Sequence, residues 1–430
     1  ARVGGDCLWT GCVPSKALLA SAKAAHAMRT AGRLGLEPVD PQVDTARVWA
    51  RVRAVQEDLA ATTDSPEHLR AAGVDVHLGE AQLVGTNAVE VDGATLEARF
   101  ILVATGSEPR LPPIPGLREA RPLTNETVFG LERAPRSTVL VGAGPQDVEL
   151  AQALVRLGVR ATLLGRDASL LPRDEPELAA RLADRLRAEG VDVQLGVRVE
   201  RVTVQDGQRV VHAPGRTWRA AEVLVGTGRR PVIEGLGLER LGVEVGEDGV
   251  VVDARLRTTV PTIYAAGDVA GRQRFTHTAG FEAARAVRNM FLPGRAERGF
   301  VVPWCTFTDP ELAHAGLTEA QARAEHGDAV RVWRADLADS DRLRAEGTAD
   351  GALHLVCARG RLVGAHVLAP AAGEVIGELT LAIEQRLKLG DLAGVVHPYP
   401  TVAIAIQQLA GRAALAGARR FAWLARRRSA

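Results

Sequence analysis

Residues 4–16 read GGDCLWTGCVPSK, and the rest of the chain is interpreted outward from them. Cys7 and Cys12 flank four residues, glycines stand ahead of each, and a helix-forming run, ALLASAKAAHAM, follows. Pro14 suits the first turn of a helix, where a missing N–H costs nothing. Cys12 therefore falls at a helix N-terminus, where the macrodipole and unpaired N–H groups favour a thiolate. Two cysteines this close, one of them activated by a helix, read as a redox pair. A structural disulfide suits poorly a chain with four cysteines, no apolar signal segment and no other close pair. A zinc site needs two further ligands, and Cys305 and Cys357 lack His or Cys at ligand spacing, so no metal is expected.

At 430 residues the chain exceeds one ordinary core and predicts about three domains. Its 53 basic residues balance 52 acidic ones, which argues against a general attraction to nucleic acid. Hydrophobic residues make up 46%, yet no run approaches a bilayer-spanning helix. The expectation is a soluble, cytoplasmic protein.

A polar, helix-like stretch follows the cysteine helix to about Ala72. Strands are expected within residues 74–84 and 87–106, the last ending in ATGS at 104–107. LPPIPGL then stiffens a plausible domain crossing. From Ser137, STVLVGAGPQDVELAQALVRLGVRATLLGR reads as strand, glycine turn, amphipathic helix and second strand, one βαβ unit of a dinucleotide-binding fold. A helix over 176–190 and strands within 192–202 and 223–231 continue it. Beyond TIYAAGDVAG comes a helix over 279–291, then a hairpin over 350–369, then helices over 375–388 and 402–409.

This stretch at 4–16 resembles the active-site disulfide of the pyridine nucleotide-disulfide oxidoreductases, the flavoenzymes that include glutathione, dihydrolipoamide and mercuric-ion reductases. The segment order resembles that family over essentially the entire chain. The resemblance implies an α/β fold with two Rossmann-like dinucleotide-binding domains and a C-terminal α+β dimerisation domain, assembled as a homodimer. The implied boundaries are 1–115 for the first part of an FAD-binding domain, 116–232 for an NAD(P)-binding domain and 233–300 for the second FAD part. Residues 301–412 would form the interface domain, and 413–430 a basic tail.

It also implies roles for individual residues. Cys12, nearer the flavin, would form the charge-transfer thiolate, and Cys7 would be the outward thiol that meets substrate. Lys16 would pair with Glu149 beside the flavin. Ala104, Thr105, Gly106, Gly267 and Asp268 resemble FAD contacts, with Asp268 a carboxylate able to accept a ribityl hydroxyl. Gly4, Gly5 and Gly228 join the cofactor-binding set, as does Lys16. Gly142 and Gly144 fit the turn that cradles a pyrophosphate at a helix N-terminus. Asp147 stands where a third small residue normally lets helix and strand pack, and its carboxylate would face the phosphates. The second strand ends in Arg166 without a ribose-binding acid. Arg166 and Arg173 would meet a 2′-phosphate, favouring NADPH over NADH, or would be solvated surface arginines.

Two departures stand out. The family's opening strand, its FAD-binding GxGxxG, the helix after it and the second strand should precede residue 4; either the natural protein begins earlier or FAD binds poorly. In HPYPTVAI at 397–404, Tyr399 stands at the position of the family's histidine and Ile404 at that of its glutamate. Tyr399 therefore joins the candidate catalytic set, and it resembles the mercuric-reductase branch without that branch's carboxy-terminal cysteines. His397 would substitute only if the loop shifts; otherwise it is a turn histidine. The basic tail, with Phe421, Trp423 and Leu424, reads as a frayed helix or as a membrane-surface contact. The expected activity is NAD(P)H oxidation through FAD and the Cys7–Cys12 disulfide to a thiol, disulfide or metal-type acceptor. The alternatives are a quinone or small-acceptor reductase with bystander thiols, and an inactive scaffold without FAD.

Overall fold

The computed structural model describes residues 2–271, 273–293, 299–348 and 350–418. The chain divides into two compact units, one of residues 1–21, 44–141 and 199–299, the other of residues 22–43, 142–198 and 300–430.

In the first unit two short strands, Ile101–Val103 and Ile263–Ala265, pair in parallel with Ile101 opposite Ile263. Both are apolar throughout, as strands covered on both faces must be. Leu83, Leu236, Val243, Val250 and Val269 close over them to form one core. A second parallel pair joins Ser137–Val141 to Glu222–Val225. Two three-stranded antiparallel sheets lie in the same unit, Ala81–Gly85 with Ala88–Val91 and Ala94–Glu97, and Arg201–Gln205 with Gln208–Ala213 and Arg216–Ala220. Helix Thr45–Ala61 buries Trp49 completely, and the indole N–H donates to the Val128 carbonyl at 2.9 Å.

Strand structure expected from residue 74 begins only at Ala81: Val74, Val76 and Leu78 alternate as on a strand face, but Val74 and Leu78 are exposed and that face is not buried. The stretch 192–202 divides because its ends join different sheets: Asp192–Gln194 runs parallel to Arg160–Leu164, whereas Arg201–Gln205 pairs antiparallel with Gln208–Ala213.

In the second unit, helix Pro176–Ala188 buries Leu178, Leu182 and Leu186, spaced four residues apart on one face. A five-stranded antiparallel sheet runs in the order Trp304–Thr306, Glu311–Gly316, Arg361–Ala369, Ala352–Ala358, Val330–Asp336. Its hairpin, Ala352–Ala358 with Arg361–Ala369, follows the expectation. Helix Ala372–Glu384 starts earlier than expected and stops sooner, with Arg386 in the left-handed region at φ 53°. Helix Ile404–Ala418 outruns the expected end at 409; Phe421, Trp423 and Leu424 lie outside the described residues. No helix among the described residues is long and apolar enough to cross a membrane.

Each strand of that sheet contributes one member to a transverse row. Trp304, His314, His366, His354 and Arg334 stand opposite one another in register. The Trp304 and His314 rings stack at 3.7 Å, and His314 meets His366 edge-on at 4.7 Å. All three histidines are buried, with Asp174, Glu175 and Glu177 beside the row: Trp304 donates to Asp174 at 2.9 Å, His366 lies 3.7 Å from Glu175, and His354 lies 3.7 Å from Glu177.

Candidate active site

The cysteine motif is built from two consecutive helices, Gly5–Trp9 and Cys12–Arg29. A five-residue helix has no stability of its own, so tertiary contacts hold it. Leu8 is fully buried beneath it. Gln56, buried on helix Thr45–Ala61, donates its amide to the Leu8 and Trp9 carbonyls at 3.0 and 2.8 Å. Asn125 donates to Asp6 and to the Thr10 carbonyl, and Arg229 pairs with Asp6 at 2.9 Å.

Cys12 is the first residue of its helix, as the sequence predicts, with Pro14 and Ser15 buried in the first turn. Both cysteines are half-buried thiols. A hydrogen bond from Cys7 brings the Cys12 thiol down to about 6; the Thr276 hydroxyl and the Lys16 charge act in the same direction, against burial. The same sulfur–sulfur hydrogen bond, with burial, pushes Cys7 up. The pair is thereby polarised, with negative charge on Cys12 and the proton on Cys7.

Ala104, Thr105 and Gly106 follow strand Ile101–Val103, and Gly267 and Asp268 follow strand Ile263–Ala265. Both segments thus lie at the carboxyl ends of a parallel pair, where open α/β sheets bind ligands. Thr105 donates its hydroxyl to the Val232 carbonyl at 2.6 Å. Ser107 donates to Asp268 at 2.5 Å, and Arg229 donates to the Ser107 hydroxyl and carbonyl, both at 2.7 Å, while lying 3.8 Å from Asp268. Asp268, expected as an acceptor for a ribityl hydroxyl, therefore already accepts the Ser107 hydroxyl. Gly106 has φ 74°, and nothing lies within 4 Å of where a Cβ would stand. That open backbone, the strand-end crevice and the Asp268 carboxylate fit a flavin dinucleotide. Gly4 closes against Leu8, and the Gly228 carbonyl accepts the Arg110 N–H at 3.0 Å.

In the second unit Gly142 and Gly144 lead into helix Pro145–Arg156. Gly142 has φ 145°, and a Cβ there would stand 2.3 Å from the Asp147 carboxylate. Asp147 lies against the glycine turn, at the position where the sequence expects a small residue to let helix and strand pack. Its carboxyl is fully buried and does not project at the surface. The reason is that first-turn N–H groups lack intrahelical acceptors, and a carboxyl three residues in reaches back to Gly144. Burial lifts Asp147 to about 8. Glu149, buried on the same helix, accepts the Phe307 N–H at 2.8 Å. Arg166 is exposed, 3.9 Å from Asp167. Arg173 lies over the Trp304 ring at 5.0 Å.

His397 is buried in the second unit and lies 3.0 Å from both Glu378 oxygens. Tyr399 is exposed and donates its hydroxyl to Asp341 at 2.6 Å. Ile404 opens helix Ile404–Ala418. Sequence reasoning missed Glu378, Arg229 and Thr276. Glu378 faces His397 from a helix 19 residues upstream. Arg229 joins the cysteine motif to the strand-end segments, and its one signal was its place just after Gly228.

The chain matches the pyridine nucleotide-disulphide oxidoreductase family over residues 2–283, and the dimerisation domain of that family over residues 302–410. It is 38% identical to a mercuric reductase of Streptomyces lividans, over 94% of this chain and 88% of that protein. It is 35% identical to a dihydrolipoyl dehydrogenase of Thermus scotoductus, over 95% and 90%. Among solved structures, LpdA from Mycobacterium tuberculosis superposes with a TM-score of 0.87 at 29% identity, over 96% of this chain and 92% of that one. The HOCl-induced flavoprotein disulfide reductase RclA from Escherichia coli superposes with a TM-score of 0.85 at 27% identity, over 96% and 92%. A polarised cysteine pair beside a strand-end crevice, matched along the whole chain in this way, makes the protein a member of the pyridine nucleotide-disulphide oxidoreductases.

Proposed function

We propose that the protein oxidises NAD(P)H through FAD and passes two electrons to a Cys7–Cys12 disulfide, and that the resulting dithiol reduces the disulfide of a thiol/disulfide couple or a metal-ion acceptor. The observation that carries this reading is the polarisation of the pair, with Cys12 at a helix N-terminus and drawn down to about 6 while Cys7 is pushed up. Two electrons and one proton convert the disulfide into a Cys12 thiolate and a Cys7 thiol. Bound FAD would supply the two-electron relay between the nicotinamide and sulfur. Lys16 stabilises the Cys12 charge, and Cys7 is the thiol that meets the acceptor. Residues 104–106, 228 and 267–268, with Gly4 and Gly5, form the FAD side of the site. Gly142 and Gly144 cradle the pyrophosphate of the nicotinamide cofactor, with Glu149 on the helix they open. Arg166 stands ready for a 2′-phosphate, so NADPH is preferred. The acceptor classes are those spanned by the names of the relatives. The dimerisation domain supports a homodimer.

The test is thiol trapping on the full chain, oxidised and then held anaerobically with FAD. NADPH should create two alkylatable thiols, mapped to Cys7 and Cys12. Equal labelling without NADPH, or full turnover in a Cys7→Ser, Cys12→Ser double variant, overturns the dithiol route. The second of these outcomes would favour a small-acceptor reductase, a reading supported by Tyr399, whose hydroxyl is engaged by Asp341 at 2.6 Å.

A further inference from the structure

Two helices begin at the same sulfur. Cys12 is the first residue of Cys12–Arg29, and Thr276 is the first residue of Thr276–Phe291. The Cys12 sulfur lies 3.2 Å from the Thr276 hydroxyl. Helix Thr276–Phe291 has Phe275 as its N-cap and no side-chain cap, so this hydroxyl is not spent on its own helix. A sulfur at the origin of two helices, of 18 and 16 residues, lies in the positive end of both dipoles. A hydroxyl can either donate to it or accept from it, and the surroundings decide. Cys7 already directs a proton at Cys12, and the Lys16 charge acts on it from one turn along its helix. Burial apart, the groups around Cys12 favour a thiolate, and a thiolate is an acceptor only.

We propose that Thr276 is a positioning residue of the redox pair: its hydroxyl donates to the Cys12 sulfur and stabilises the negative charge there. Thr276 also acts to lower Cys7, but its 3.2 Å contact is with the Cys12 sulfur, and Cys7, in the middle of the short helix Gly5–Trp9, has no helix origin of its own. The hydroxyl thus deepens an asymmetry that Cys7, Lys16 and the helix origin also favour. The catalytic consequence rests on the reading of the pair given above, whereas the thiolate assignment itself does not.

The experiment compares the full-length dithiol protein with its Thr276→Val and Thr276→Ser variants. Iodoacetamide labelling is followed as a function of pH, and the label on each cysteine is quantified by peptide mass. In the unmodified protein Cys12 labelling should rise with a midpoint about 6. Thr276→Val should raise that midpoint by about one unit, the scale of one lost hydrogen bond to a charged acceptor. Thr276→Ser, which keeps the hydroxyl, should restore it. An unchanged midpoint in Thr276→Val, or a midpoint in Thr276→Ser equal to that of Thr276→Val, overturns the proposal. NADPH-driven thiol formation is measured in parallel on the unmodified protein, so a failure of the dithiol route is read separately from a failure of the Thr276 assignment.

Discussion

The Gly144 N–H donates to the Asp147 carboxylate at 3.2 Å, and the acceptor is a fully buried side chain whose second oxygen has no hydrogen-bond partner. This aspartate caps its helix from inside the glycine turn. Burial raises its pKa from the usual value of 3.8 to about 8. Because the folded form holds the proton more tightly than the unfolded one, the stability it contributes is intact below pH 3.8 and is lost as pH rises to about 8.

Asp147→Asn should therefore stabilise the protein most in mildly alkaline solution, by on the order of 5 kcal/mol at full ionisation. Denaturant titrations of both proteins at pH 6 and pH 9 check this, with the larger gap expected at the higher pH. NADPH binding, followed by fluorescence quenching over the same range, should weaken above pH 8 in the unmodified protein and stay level in the variant. A flat binding profile in both would separate Asp147 from the nucleotide site.

Acid acts on the histidine row in the opposite sense. Burial draws His314 and His354 down to about 4 and holds His366 well below its usual value. The unfolded chain therefore takes up protons below about 6.5 that the folded chain refuses, and stability should fall as pH drops toward 4. Asp174, lifted to about 6 by burial, and Glu175, also raised, oppose this trend, while Arg173, Arg181 and Arg334 add positive charge nearby. Three imidazoles outnumber two carboxyls, so His366→Asn should flatten the fall of Tm between pH 6.5 and 4. An unchanged slope would show that the row does not govern acid lability.

Gln56 should matter beyond its size. It supplies one buried amide to two carbonyls of the helix that carries Cys7. Gln56→Leu leaves both carbonyls without that donor, at a cost of about 1–3 kcal/mol. Alkylation of Cys7 should accelerate under conditions where the protein remains folded by circular dichroism.

His397, which is buried, pairs within the second unit with Glu378, whose side chain is a third exposed, and this predicts a structural effect. His397→Ala should lower stability by about 1 kcal/mol, since water can take the place of the lost partner at Glu378. The pH profile of NADPH turnover should keep its shape. A lost ionisation in that profile would instead assign His397 to proton transfer.

Much of this was legible in the sequence because the informative contacts are local. Cys12 and Pro14 define their helix start within three residues, and the strand–turn–helix around Gly142 and Gly144 announces itself by alternating composition. Asp147 was visible as an anomaly, but its inward turn follows from unpaired N–H groups that a sequence does not display. Arg229 reaches Ser107 across 122 positions, and His397 meets a glutamate presented by another element. Such contacts carry no periodicity and no fixed spacing, so pattern reading passes over them. The histidine row was equally hidden, since its members align only after five strands adopt one pairing order.

Thr276 follows Cys12 by 264 positions. At ribosomal speeds of about 5–20 residues per second, the cysteines emerge on the order of ten seconds or more before the hydroxyl that touches them exists. Throughout that interval the nascent pair lacks one of its charge-directing neighbours. During synthesis the pair therefore lacks that hydroxyl's share of the asymmetry, which is completed only once residue 276 has folded back onto the cysteine motif.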